Sequence, residues 1–111
     1  MTSCEKESVP VPEFNVEVNS KQYYAGDTVF FRLTGNPDII SFYSGEPNRI
    51  YQSEGSYSTP IKAVSDVAPK SYFYIYNASG TYTATFMAAN SNIYDRKEIT
   101  RQIEINIETR N

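Results

Sequence analysis

Chemistry needs groups that can take protons, attack carbon or hold a metal, and this chain of 111 residues has a short supply of them. It has no histidine and one cysteine, Cys4. The missing imidazole removes histidine general bases, Ser-His-Asp and Cys-His nucleophile systems, and histidine metal sites. A lone cysteine makes no internal disulfide and no zinc site by itself. The carboxylates Glu46, Glu54, Asp66 and Asp95 are scattered over segments that read as loops. A glycosidase needs two carboxyls at a defined separation, and a domain this small leaves little room for a substrate cleft. Loop acids solvated by water are the simpler reading. Calcium would need acids and carbonyls converging, as around Asp27 or Asp38, but no Asp-x-Asp-x-Asp spacing is present. The expectation is therefore a protein that is not an enzyme, with no cofactor and no metal.

The sharper candidate is aromatic. Tyr72, Tyr74 and Tyr76 alternate along "SYFYIYN" and share one strand face, about 7 Å apart. Exposed, they would form a flat strip able to stack on sugar rings or a partner protein. Phe73 and Ile75 occupy the other face. They are the more apolar pair, so they are expected inward. The alternative is that the tyrosines pack inside, or against an adjoining domain.

The elements that would position these residues are strands. Phe14, Val16 and Val18 alternate with Asn15 and Glu17, the pattern of a half-buried strand. Gly26 marks a turn, and "TVFFRLT" follows with Val29, Phe31 and Leu33 on one face. "DIISFYS" puts Ile40 and Phe42 toward a core. "GTYTATFMAAN" alternates Tyr82, Ala84, Phe86 and Ala88 against threonines. "RQIEINIE" closes with Ile103, Ile105 and Ile107 on the apolar side. The polar run "NSNIYDRKE" reads as the loop joining the last two strands. Between 45 and 70, Pro60 and Pro69 interrupt any long strand, so short or irregular strands and at most one helical turn are expected. No stretch keeps a 3.6-residue period. About seven short antiparallel strands in some hundred residues predict an all-β, immunoglobulin-like sandwich.

Ahead of the first strand, residues 1–12 carry charge, Pro10 and Pro12, and read as a flexible tether; the domain proper is 13–109. A net charge of −3 argues against nucleic acid and against an anionic membrane surface, since both favour clustered Lys and Arg. No run of 18 apolar residues is present, so no helix is expected to span a bilayer.

Three segments in order carry a resemblance. "YAGDTVFF" (24–31), "GTYTATFMAANSN" (80–92) and "ITRQIEINI" (99–107) resemble the second, penultimate and closing strands of polycystic kidney disease (PKD) modules. The resemblance covers most of 13–108 and implies a PKD-like β-sandwich. The middle departs from it: "ISFYSGEP" (40–47) replaces the usual Trp-containing segment, and the chain has no tryptophan. That variant resembles an N-terminal module of Bacteroidetes-type surface lipoproteins, a family described mainly as a domain of unknown function. Such proteins often accompany glycan uptake. The resemblance carries over no catalytic residue.

"TSC" before a charged run resembles the end of a bacterial lipobox. It implies a lipid on the Cys4 sulfur and an outer-membrane, cell-surface location, with the membrane contacted only through that anchor. The expected function is a non-catalytic spacer or interaction module, partnered by a downstream domain or a surface protein. The alternative is a carbohydrate-binding module using Tyr72, Tyr74 and Tyr76. One further expectation is local. Tyr82 stands two residues before the inward Ala84, the place where a tyrosine hydroxyl in such sandwiches bonds back to the loop before it.

Overall fold

Period-two alternation becomes strand wherever one face of a segment can be buried, and eight segments among the described residues form strands. A computed structural model describes residues 8–20, 22–64 and 66–109. The strands are β1 (Phe14–Val18), β2 (Gln22–Tyr24), β3 (Thr28–Gly35), β4 (Ile39–Tyr43), β5 (Thr59–Lys62), β6 (Ser71–Ile75), β7 (Gly80–Ser91) and β8 (Arg96–Glu108). There is no helix among the described residues. The strands form two sheets, ordered β1-β3-β6 and β2-β8-β7-β4-β5, which pack face to face as a β-sandwich. All pairings are antiparallel except β2 with β8, which run parallel from Gln22↔Asn106 to Tyr24↔Glu108. The expected seven strands become eight because the short β2 adds itself to the edge of the larger sheet.

The core follows the expected faces. Phe14, Val16, Val29, Phe31, Leu33, Ile40, Phe42, Ala84, Phe86, Ala88, Ile105 and Ile107 are all buried. Phe31 on one sheet meets Phe42 and Phe86 on the other, with ring centroids 5.7 and 5.0 Å away. Phe42 and Phe86 lie 4.8 Å apart. Tilted and edge-on aromatic contacts of this kind add to the area they bury.

Among the described residues of the segment 45–70 the only strand is β5, at the edge of its sheet. An edge tolerates Pro60, which has no N–H to donate. Turns take the rest, and no helical turn forms among them. The amine of Lys62 is buried and donates to the carbonyls of Asp38 and Ala63, at 3.0 and 3.3 Å. This ties the edge strand to the β3–β4 loop.

One orientation is the reverse of the expectation. Tyr72, Tyr74 and Tyr76 face the core, and Phe73 and Ile75 are outside, 57% and 46% exposed. The cause lies in the pairing register. Phe31 pairs with Tyr72 and Val29 with Tyr74. Residues opposite each other in a ladder share a face, so an inward Val29 and Phe31 force the tyrosines inward. On the outer face Phe30 pairs with Phe73, their rings 4.9 Å apart. An exposed tyrosine strip on β6 does not form.

Candidate functional site

The inward tyrosines have a chemical reason to be there. Their rings fill the space between the sheets, and the hydroxyls of Tyr74 and Tyr76 reach the turn that follows β4. Tyr76 is fully buried and donates to the carbonyl of Ser44 at 2.7 Å. Tyr74 donates to the Glu46 carboxylate. Ser44 donates its hydroxyl to the same carboxylate at 2.7 Å and accepts from the Glu46 amide at 3.2 Å. Gly45 lets the chain turn at φ +91°, where a Cβ would lie 2.7 Å from the Thr83 carbonyl oxygen. Only glycine allows the turn to press this closely on β7. Arg49 donates to Thr59 at 2.7 Å and lies over the Tyr57 ring at 4.1 Å.

Tyr82 closes the array. Its ring stacks on Tyr76 at 4.5 Å, and its hydroxyl donates to the Ala78 carbonyl at 2.7 Å. This is the corner that the spacing from Ala84 predicts. A hydrogen bond of this kind contributes about 1 kcal/mol.

Electrostatics fix the role of these phenols. Burial raises the pKa of Tyr76 above its ordinary 10, and the Glu46 carboxylate raises it further. Burial also raises Tyr74, reinforced by its hydrogen bond to Glu46. Tyr72 is raised by burial and partly restored by Arg49. At neutral pH all three are neutral hydroxyls. The arrangement braces a loop against the sandwich.

The other acids singled out in the sequence accept from backbone amides or lie exposed. Asp27 accepts from the Tyr24 amide at 2.9 Å, Asp38 from the Ser91 amide at 3.0 Å and Asp66 from the Ala63 amide at 2.9 Å. Glu54 is exposed in a turn. Among the described residues no three His, Cys, Asp or Glu side chains come together as a metal site.

A second locus lies at the opposite end of the molecule, around the β7–β8 loop. Here the segment read as tether does not hang free from residue 9 onward. The Val9 amide donates to Asp95 Oδ2 at 3.0 Å, and Lys97 Nζ donates to the Val9 carbonyl at 3.1 Å. Asn90 donates to the Pro10 carbonyl at 3.1 Å, and Pro12 is buried. A shallow cleft of about 240 Å³ lies beside this segment, lined by Pro10, Val11, Glu13, Asn36 and Asn90. Cys4 lies outside the described residues. The sequence shows the strand starting at Phe14 but not this docking, because the partners are 80 or more residues away.

Asp95 organises the contact. The hydrogen bond from Lys97 first, then that from the Val9 amide, hold its carboxyl down to about 2, below the ordinary 3.8. A depressed carboxyl contributes its docking fully above pH 3.8 and loses it as pH falls through about 2. In an NMR titration the Val9 amide shift is expected to move with a midpoint near 2. A midpoint at the unperturbed 3.8 would mean that the bond to Asp95 is not made.

The chain belongs to a family described as a domain of unknown function, DUF5017, whose pattern matches residues 3–66. The matched region runs from before Cys4 through β5. No curated protein matches the chain.

Proposed function

We propose that this domain is a non-catalytic, lipid-anchored spacer at a bacterial cell surface. The observation that carries the reading is where the chain enters and leaves. Val9 is bonded beside the β7–β8 loop, whereas β8 ends at Glu108, next to Gly80 at the far end of the hairpin. The 12 residues of β7 separate the two points, a span of roughly 40 Å at about 3.3 Å per residue. A domain built this way holds whatever follows it away from whatever precedes it.

The side chains fit such a role. The tyrosines, Glu46, Asp38 and Asp95 hold loops and termini in place. The PKD-like and Bacteroidetes-type lipoprotein assignments belong to the same proposal, as does a place beside glycan uptake. They rest on the three strand motifs, the lipobox-like "TSC" and the corner at Tyr82. No helix among the described residues is long and apolar enough to cross a membrane, and the anchor would be the lipid on Cys4. Two or more acyl chains give stable attachment.

The test is Cys4→Ser in the native host, expressed from the full gene. The protein should leave the membrane fraction while the melting temperature of the soluble domain stays unchanged. Retention of the variant in the membrane fraction would defeat the anchor.

A further inference from the structure

The loop between β7 and β8 is rigidly built and apolar at its apex. The Asn92 amide donates to the Asp95 carbonyl at 2.9 Å, while Asn92 Oδ1 accepts from the amides of Tyr94 and Asp95 at 2.7 and 2.8 Å. An asparagine that bonds its own following backbone stabilises a tight turn. The two residues held between, Ile93 and Tyr94, are 88% and 64% exposed. The apex lies past the end of the β4–β7 ladder, where Asp38 bonds Asn90 and Ser91. β4 pairs with β7 only as far as Ala89, leaving Asn90 and Ser91 to extend beyond it.

A single exposed apolar residue is ordinary. This pair differs because of what lies beside it. Val9 is clamped to Asp95 and Lys97 at the base of the same loop. Cys4 is five residues earlier, so its sulfur is within about 18 Å of that clamp even with the chain fully extended. The charges around the apex cancel, with Lys97 bonded to Asp95 at 2.8 Å and Arg96 to Glu98 at 2.6 Å. An aliphatic residue and a tyrosine on a neutral tip suit the boundary between lipid headgroups and acyl chains. They do not call for anionic lipid, which the net charge of −3 also disfavours.

We infer that Ile93 and Tyr94 are a membrane-contact tip. Resting on the lipid anchor at Cys4, they seat in the interface of a zwitterionic bilayer. The bilayer then holds the domain at two neighbouring points, and the β7–β8 hairpin stands up from it.

The chain's lack of tryptophan supplies a clean probe. Tyr94→Trp places one indole at the tip. The full chain is coupled through its only thiol, Cys4, to a maleimide-headgroup lipid in phosphatidylcholine vesicles. Coupling should shift the indole emission to the blue, and acyl-brominated phosphatidylcholine should quench it. Adding Ile93→Asp should reverse both effects. Tyr24→Trp, at the far end beside Glu108, should show neither. Emission at position 94 that stays water-like and unquenched after coupling overturns the tip. So does a blue shift that appears only with anionic phosphatidylglycerol and vanishes at high salt. The coupling is synthetic, so a dry or wet tip is read independently of native acylation. Membrane retention of Cys4→Ser in the host instead overturns the anchor, and this inference with it.

Discussion

Phe86→Ala lowers the stability of the domain by about 3–5 kcal/mol, a large share of the roughly 5–15 kcal/mol typical of a native protein. Phe86 is fully buried and meets the rings of Phe31, Phe42, Tyr72 and Phe14 within 6.4 Å. It is the point at which the two sheets are joined through aromatic contact. The truncated side chain leaves a cavity lined by rigid rings, which relax poorly to fill it. Phe31→Ala, from the opposite sheet, belongs in the same range. Urea denaturation of both variants measures the loss. A wild-type midpoint for either would mean that the strand faces are inverted, since a one-residue slip turns every side chain over.

Gly35→Ala is expected to cost about 2–5 kcal/mol, combining a left-handed backbone with steric overlap. Gly35 has φ +102°, and a Cβ there would lie 1.9 Å from the Glu13 carbonyl oxygen and 2.7 Å from its carbon. Both are backbone atoms at the entrance to β1, so the overlap is relieved only by lifting the chain where the docked segment joins the sheet. Gly26→Ala is the control. It has a similar φ of +92° but nothing within 4 Å, so only the conformational cost of about 1–2 kcal/mol remains. The same denaturation experiment compares them. Equal losses would show that the close approach of Glu13 is not made.

The strand faces are legible in the sequence because alternation is local. Val29, Phe31 and Leu33, or Ile103, Ile105 and Ile107, declare their side within a few residues of chain. β6 is ambiguous for the same reason: tyrosines, phenylalanine and isoleucine make both faces apolar, and local pattern cannot choose between them. Its neighbour decides. An inward Phe31 opposite Tyr72 settles the face, and the outward Phe30 in "VFFR" is the one hint in the sequence that Phe73 joins it outside. The hydroxyl partners of Tyr74 and Tyr76 are out of reach of local pattern, because Ser44 lies 32 residues from Tyr76. The tip at Ile93 and Tyr94 is visible only as two apolar letters inside a polar run. Its exposure depends on how far β7 outruns β4, which is a property of the whole sheet. The lipid proposed at Cys4 rests on the resemblance of "TSC" to a lipobox.

The parallel pairing of β2 with β8 matters once the two ends are pulled apart. In the proposed spacer role, an anchor at the amino-terminal end and a load beyond Glu108 would draw β2 toward the loop end and β8 away from it. Strands that run side by side in the same direction are then sheared, with the bonds from Gln22↔Asn106 to Tyr24↔Glu108 strained together rather than one after another. β1 and β3 take the same geometry across five antiparallel pairs. A peeling force would open such ladders bond by bond at low tension. Under the proposed spacer role a load beyond Glu108 would have to break them as a set, so the domain would resist most stiffly along the axis between its two ends.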